Sequence, residues 1–96
     1  MTRPERGVFL SKIGAHLRKL RLLHEKSSKE IASYLGITTQ AYGNIERGKS
    51  DVCISKLLVL AAYYEKTIAE LVPEELRTIM LISENNFKYH GLRVFK

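Results

Sequence analysis

Apolar residues recur along this chain at helical rather than alternating spacing. Phe9, Ile13, Leu17, Leu20 and then Leu23 or His24 fall three or four apart, the stripe of a helix that faces a core. Lys12, Arg18, Lys19 and Lys26 occupy the opposite side. Ser27-x-x-Glu30 follows, a spacing in which the Ser oxygen accepts from an orphan amide and the Glu carboxylate reaches back to the cap amide. It opens a second helix whose apolar face is Ile31, Ala32 and Leu35, closed by Gly36. A glycine can take the left-handed conformation that such a C-terminal cap needs. Only Ile37 separates Gly36 from Thr38, another N-cap residue type. A third helix is therefore predicted from Thr39 to Glu46 or Arg47, stopped by Gly48, with Tyr42 and Ile45 inward and Ala41 beside them. Ile54, Leu57, Leu58, Ala61 and Tyr64 form a fourth stripe. Thr67-x-x-Glu70 repeats the capping spacing and opens a short fifth helix with Ile68, Leu71 and Val72. Beyond Pro73, the residues Leu76, Ile79, Met80 and Ile82 predict a sixth helix. Phe87, Tyr89, Leu92 and Val94 around Gly91 alternate as a short strand would.

The expected fold is all-α: a compact bundle of five short helices, with a C-terminal extra helix and a short strand appended. At 96 residues the chain has the size of one domain. Residues 1–8, with Pro4 and Gly7, are expected to form a flexible arm, 9–72 the folded domain and 73–96 an extension. The net charge of +6 falls wholly within residues 1–49, whereas 50–96 are balanced. Such asymmetry predicts a polyanion-binding face in the first half.

The remaining chemistry is sparse. Cys53 is the sole cysteine, so no intrachain disulfide can form, and a reducing compartment is expected. No apolar run approaches the roughly 18 residues that span a bilayer, and Val8-Phe9-Leu10 is too short for a signal-peptide core. A soluble, cytoplasmic protein without membrane association is the expectation. His16, His24 and His90 lack ligand spacing and are expected at surface or boundary positions. The G-x-S-x-G, G-x-x-x-x-G-K-[ST] and H-E-x-x-H motifs are all absent from the sequence. Glu74 and Glu75 follow Pro73, where acids favour a helix start. No catalytic residue, metal site or cofactor is expected.

The constellation that carries function lies at residues 28–49. Two short helices joined through Gly36-Ile37-Thr38 must cross steeply, which lets the second protrude from the body. Its outward face holds Thr39, Gln40, Gly43 and Asn44, with Arg47 at its end and no acid before Glu46. Gln and Asn can bond an adenine edge bidentately in the major groove, and Thr can touch a thymine methyl. The run Ile31-Ala32-x-x-Leu35-Gly36-Ile37-x-x-x-x-Tyr42-x-x-Ile45-Glu46-x-Gly48 resembles the helix-turn-helix of the phage lambda repressor and Cro family, also called the xenobiotic-response-element type. Ile13-Gly14-x-x-Leu17-Arg18-x-Leu20-Arg21, Leu57-x-x-Leu60-Ala61 and Ile68-x-Glu70-Leu71 resemble that family's first, fourth and fifth helices, so the resemblance covers about 10–72.

The resemblance implies a lambda repressor-like fold and a set of roles. Thr39, Gln40, Gly43 and Asn44 align with positions that face base edges. Ser28 aligns with a phosphate-contacting position usually held by Gln, and Arg47 and Lys49 with backbone clamps. Arg21 and Glu46 align with an ion pair tying the first helix to the end of the third. Four departures stand out. Gly43 lacks a base-reading side chain but leaves room for close approach to the duplex. Cys53 stands where a capping Ser or Thr is common, with Ser50 and Asp51 as alternative caps. Glu65 stands where Gly is common. Asp51 puts a negative charge in a loop that often faces phosphate.

The implied function is sequence-specific binding of double-stranded DNA as a transcriptional regulator, with repression the expected mode. Family members commonly bind an inverted repeat as homodimers, their recognition helices about 34 Å apart in successive major grooves. Leu76, Ile79, Met80, Phe87 and Tyr89 of the extension are the expected dimerisation residues; packing of the sixth helix on its own domain is the alternative. The resemblance also implies a bacterial or phage-infected host cell. Two other functions stay open: an antitoxin-type regulator that holds a protein partner through the extension, and an interaction adaptor without specific DNA binding.

Overall fold

The computed structural model describes residues 6–77. Five helices follow in order: α1 (Arg6–Leu23), α2 (Ser28–Leu35), α3 (Thr39–Glu46), α4 (Ile54–Tyr64) and α5 (Ile68–Leu71). Residues 74–77 are also helical, directly after Pro73. The described residues contain no strand; the alternating segment 87–94 lies outside them.

α1 begins at Arg6, so residues 6–8, assigned to the arm by sequence, are helical. Its inner stripe runs through Leu17 and Leu20 but stops there. Leu23 is 69% exposed and His24 is exposed, not the core positions that the spacing suggested. Gly14 and Arg21 are buried instead, which rotates the inner face toward α3. The helix ends where Glu25 takes φ 55° and the Lys26 amide donates back to the Arg21 carbonyl at 3.1 Å. This tight reversal leaves Leu23 on the outer side.

The α2 start is a complete capping box. The Glu30 amide donates to Ser27 Oγ at 3.1 Å, and the Ser27 amide donates to Glu30 Oε1 at 3.2 Å. That amide and the Ser27 hydroxyl hold the Glu30 carboxyl below its ordinary value. Gly36 closes α2 at φ 73°, and Thr38 Oγ1 caps α3 through the Ala41 amide at 3.0 Å. At α4, Cys53 is the N-cap residue, but its side chain makes no capping bond. Asp51 Oδ1 accepts from the Val52 amide at 2.9 Å, so neither Ser50 nor Asp51 takes over as cap. The Cys53 thiol lies 3.1 Å from Ser55 Oγ. That contact, helped by the Lys56 amide, pulls the thiol down to about 7.

One contiguous core joins Leu17 and Leu20 to Ile31, Ala32, Tyr42, Ile45, Val52, Leu60, Ala61, Tyr64 and Leu71. Tyr42, Leu17, Ile31, Leu60 and Leu71 are fully enclosed. Within α4 the buried set is Leu60, Ala61 and Tyr64, with Leu57 packed against it. Ile54 and Leu58, placed inside by the sequence, face solvent at 63% and 55% exposure. Lys56 is the sole charge in α4, so apolar spacing alone does not fix its inner face. Leu76, expected at a dimer contact, is instead buried within its own domain at 8% exposure and is not free for a second copy. Ile79, Met80, Phe87 and Tyr89 lie outside the described residues.

α4 closes at Glu65, whose φ of 54° puts a side-chain-bearing residue in the left-handed region. Glycine adopts this region without the steric penalty of a Cβ. Glu65→Gly is accordingly expected to stabilise the domain by about 1 kcal/mol. A thermal melt should show Tm rising by roughly 4–8 °C.

Candidate nucleic-acid interface

The α2–α3 connection is short because two bonds close it. The Gly36 amide donates to the Ser33 carbonyl at 3.1 Å and the Ile37 amide to the Ala32 carbonyl at 3.0 Å. Thr38 then caps α3 at once, leaving no slack between the helices. α3 is held from beneath by Tyr42, fully buried, and Ile45. Burial pushes the Tyr42 hydroxyl well above the ordinary tyrosine value, so it stays neutral.

Two further contacts fix the C-terminal end of α3 on α1. Arg21 Nε donates to Glu46 Oε2 at 2.7 Å and Nη2 to Oε1 at 3.0 Å, a bidentate fork. Both side chains are nearly enclosed, at 11% and 7% exposure. Arg21 Nη1 also donates to the Lys26 carbonyl at 2.9 Å, so the guanidinium ties α1, the α1–α2 turn and α3 together. Bonding to Glu46 raises the already high Arg21 value further, so the guanidinium stays charged. Beside it, Gly14 brings the two helix backbones together. A Cβ there would stand 2.3 Å from the Ile45 carbonyl oxygen and 2.5 Å from that of Glu46. Gly48, at φ 74°, lies on α1 in the same way, since its Cβ would be 2.7 Å from Ser11 Cα.

The outer face of α3 follows from this anchoring. Thr39 and Gln40 are exposed, Gly43 and Asn44 half-buried, and Arg47 exposed. At 3.6 residues per turn, Gln40 and Arg47 both stand opposite the Tyr42 and Ile45 side. None of these five residues is acidic. Ser28 is the first residue of α2 and half-buried, and Lys49 is exposed just past α3. Arg47 Nη2 donates to Asn44 Oδ1 at 2.8 Å. Asp51 meets Arg6 at 3.5 Å, with both side chains mostly exposed. Sequence reasoning assigned no contact role to Gly14, Gly48 or the Arg47–Asn44 bond. A glycine inside a helical pattern is the signal that marks Gly14.

His16, expected at a boundary, is half-buried. Its Nε2 lies 3.0 Å from the Glu70 carbonyl, which can only accept, so His16 donates and links α1 to α5. Among the described residues, no group of His, Cys, Asp and Glu is placed to hold a metal ion. No helix among them is long and apolar enough to cross a membrane.

The helix-turn-helix (HTH_3) family model matches residues 17–71, the span from the α1 core stripe through α5. The chain belongs to this lambda repressor-like helix-turn-helix family. Solved structures agree with that membership. The restriction-modification controller protein C.AhdI from Aeromonas hydrophila is 32% identical over 65% of this chain and 94% of its own, with a TM-score of 0.60. The DNA-binding domain of BldD from S. venezulae is 26% identical over 69% of this chain and 99% of its own, with a TM-score of 0.60. An HTH_3 family transcriptional regulator from Vibrio cholerae is 28% identical over 70% of this chain, with a TM-score of 0.62. The match spans only 38% of that regulator's length. No curated protein matches the sequence.

Within this helix-turn-helix domain the Arg21–Glu46 and Arg6–Asp51 ion pairs differ sharply in worth. Glu46→Ala leaves Arg21 charged in an enclosed site and is expected to cost about 3–5 kcal/mol. Arg6→Ala removes only an exposed partner of Asp51 and should change stability by under about 1 kcal/mol. Denaturant titration of both variants measures the contrast.

Proposed function

We propose that this helix-turn-helix protein is a sequence-specific DNA-binding transcriptional regulator. The observation that carries this reading is the face of α3: five polar or small residues, none acidic, on a helix fixed to the body from behind. In the proposal α3 enters the major groove, where Thr39, Gln40, Gly43 and Asn44 meet base edges. Ser28 at the start of α2 and Lys49 after α3 contact phosphates on either side, positioning the helix without reading sequence. The net positive charge carried by residues 1–49 supplies the long-range attraction. Similarity to a controller protein, a DNA-binding domain and a transcriptional regulator supports the same function.

One such unit covers a half-site. The protein is proposed to act as a homodimer on an inverted repeat, as a repressor in a bacterial or phage-host cytoplasm. Ile79, Met80, Phe87 and Tyr89 are the residues proposed to join the two copies.

Selection of bound duplexes from a random pool at near-physiological salt tests this reading. An inverted repeat with half-sites about one helical turn apart is the expected product. Binding without enrichment, collapsing as salt rises, would leave only electrostatic attraction. On the selected duplex, Gln40→Ala should lose roughly 1–3 kcal/mol and relax preference at one position. Lys49→Ala should weaken all duplexes nearly equally and reduce the salt slope by about one.

A further inference from the structure

We propose that Arg47 reads a guanine, lodged over Gly43 and oriented by Asn44. The proposal deepens the DNA-binding reading above and rests on it. It moves Arg47 from the phosphate backbone, where the family pattern puts it, to the base edges.

Three observations support the assignment. Arg47 continues the outer face of α3, about two turns on from Gln40 and equally remote from the core side. Its backbone is still right-handed, at φ −84° and ψ −1°, so the helical direction of the side chain is kept. Second, the guanidinium packs closely over Gly43. A Cβ there would meet Arg47 Nη1 at 3.0 Å, Nη2 at 3.4 Å and Cζ at 3.5 Å. Gly43 costs helix stability relative to alanine, and this close packing is what its small size makes possible. Third, Arg47 Nη2 donates to Asn44 Oδ1 at 2.8 Å. Among the described residues Arg47 pairs with no carboxylate.

The chemistry follows from the donor inventory. A guanidinium carries five N–H groups in a fixed planar fork, and Asn44 occupies one of them. Two of the others can meet the parallel acceptors O6 and N7 that only guanine presents in the major groove. A fork held over Gly43 before binding loses less rotamer freedom on contact than a free arginine. Asn44 changes role as well. With Oδ1 engaged on Arg47, it acts first as the orienting residue for the guanidinium, and adenine pairing falls to Gln40.

Parallel selections with the wild type, Arg47→Ala, Arg47→Lys and Gly43→Ala test this. Each is followed by binding to the wild-type duplex and to copies with single base pairs changed, at two salt concentrations. The expected wild-type site carries one guanine per half-site whose replacement by adenine weakens binding roughly 10- to 100-fold. Arg47→Ala should flatten preference at that position alone. Arg47→Lys should not restore it, because an ammonium lacks the fork. Gly43→Ala keeps every charge and favours the helix, so it folds; its methyl would stand 3.0 Å from Nη1, so the guanidinium must shift out of its present seat by a few tenths of an ångström, and preference at the same position should weaken. The proposal is overturned if Arg47→Ala weakens all duplexes alike and lowers the salt slope by about one with preference intact, the behaviour of a phosphate clamp. Gly43→Ala with unchanged preference would overturn it too. A wild type that enriches no sequence would instead overturn the DNA-binding reading, and this proposal with it.

Discussion

The close seating of the α3 C-terminal end on α1 is the constraint on which the rest of the structure depends. Gly14 lets the Ile45 and Glu46 carbonyls approach the α1 backbone to a distance that no side chain would permit. Arg21 then grips the Glu46 carboxylate with both arms of its fork and the Lys26 carbonyl with a third donor. An enclosed charge pair is a poor source of net stability, because desolvation offsets most of the attraction. Its value here is geometric. It fixes where α3 ends and how the helix is rotated about its axis. Rotation decides which residues face outward, and a turn of one position would exchange Gln40 for the core-side Ala41.

Much of this fold was legible in the sequence because its punctuation is explicit. Ser27-x-x-Glu30, Gly36, Thr38 and Thr67-x-x-Glu70 mark helix ends by chemistry that acts within a few residues. Local rules fail where tertiary contact decides. The inner stripe of α1 was expected to reach Leu23 or His24, but the left-handed turn at Glu25 ends it earlier. α4 is apolar nearly all round, so hydrophobic spacing placed Ile54 and Leu58 inside when the structure exposes both. Cys53 takes the N-cap position without capping, and nothing in its immediate sequence shows that Asp51 would bond the Val52 amide instead.

The candidate site divides along the same line. The α3 face could be listed from a helical repeat and a turn, since Tyr42 and Ile45 define its opposite. The relation among the face residues could not. Gly43 read as a missing side chain, and Arg47 as a cation past the helix end. In three dimensions the second packs closely over the first, and Asn44 bonds it. Such a contact, one turn apart, is a pairwise fact that single positions do not carry.

The outer face of a rigidly seated α3 is the surface proposed to meet DNA. Amide chemical-shift mapping of isotope-labelled protein, titrated with its selected duplex, tests this most directly. Shifts are expected to concentrate at the α2 start near Ser28, along α3 from Thr39 to Arg47, and at Lys49, with the Leu17, Leu60 and Leu71 core unchanged. Shifts centred on the exposed Ile54 and Leu58 side of α4, with α3 silent, would contradict it.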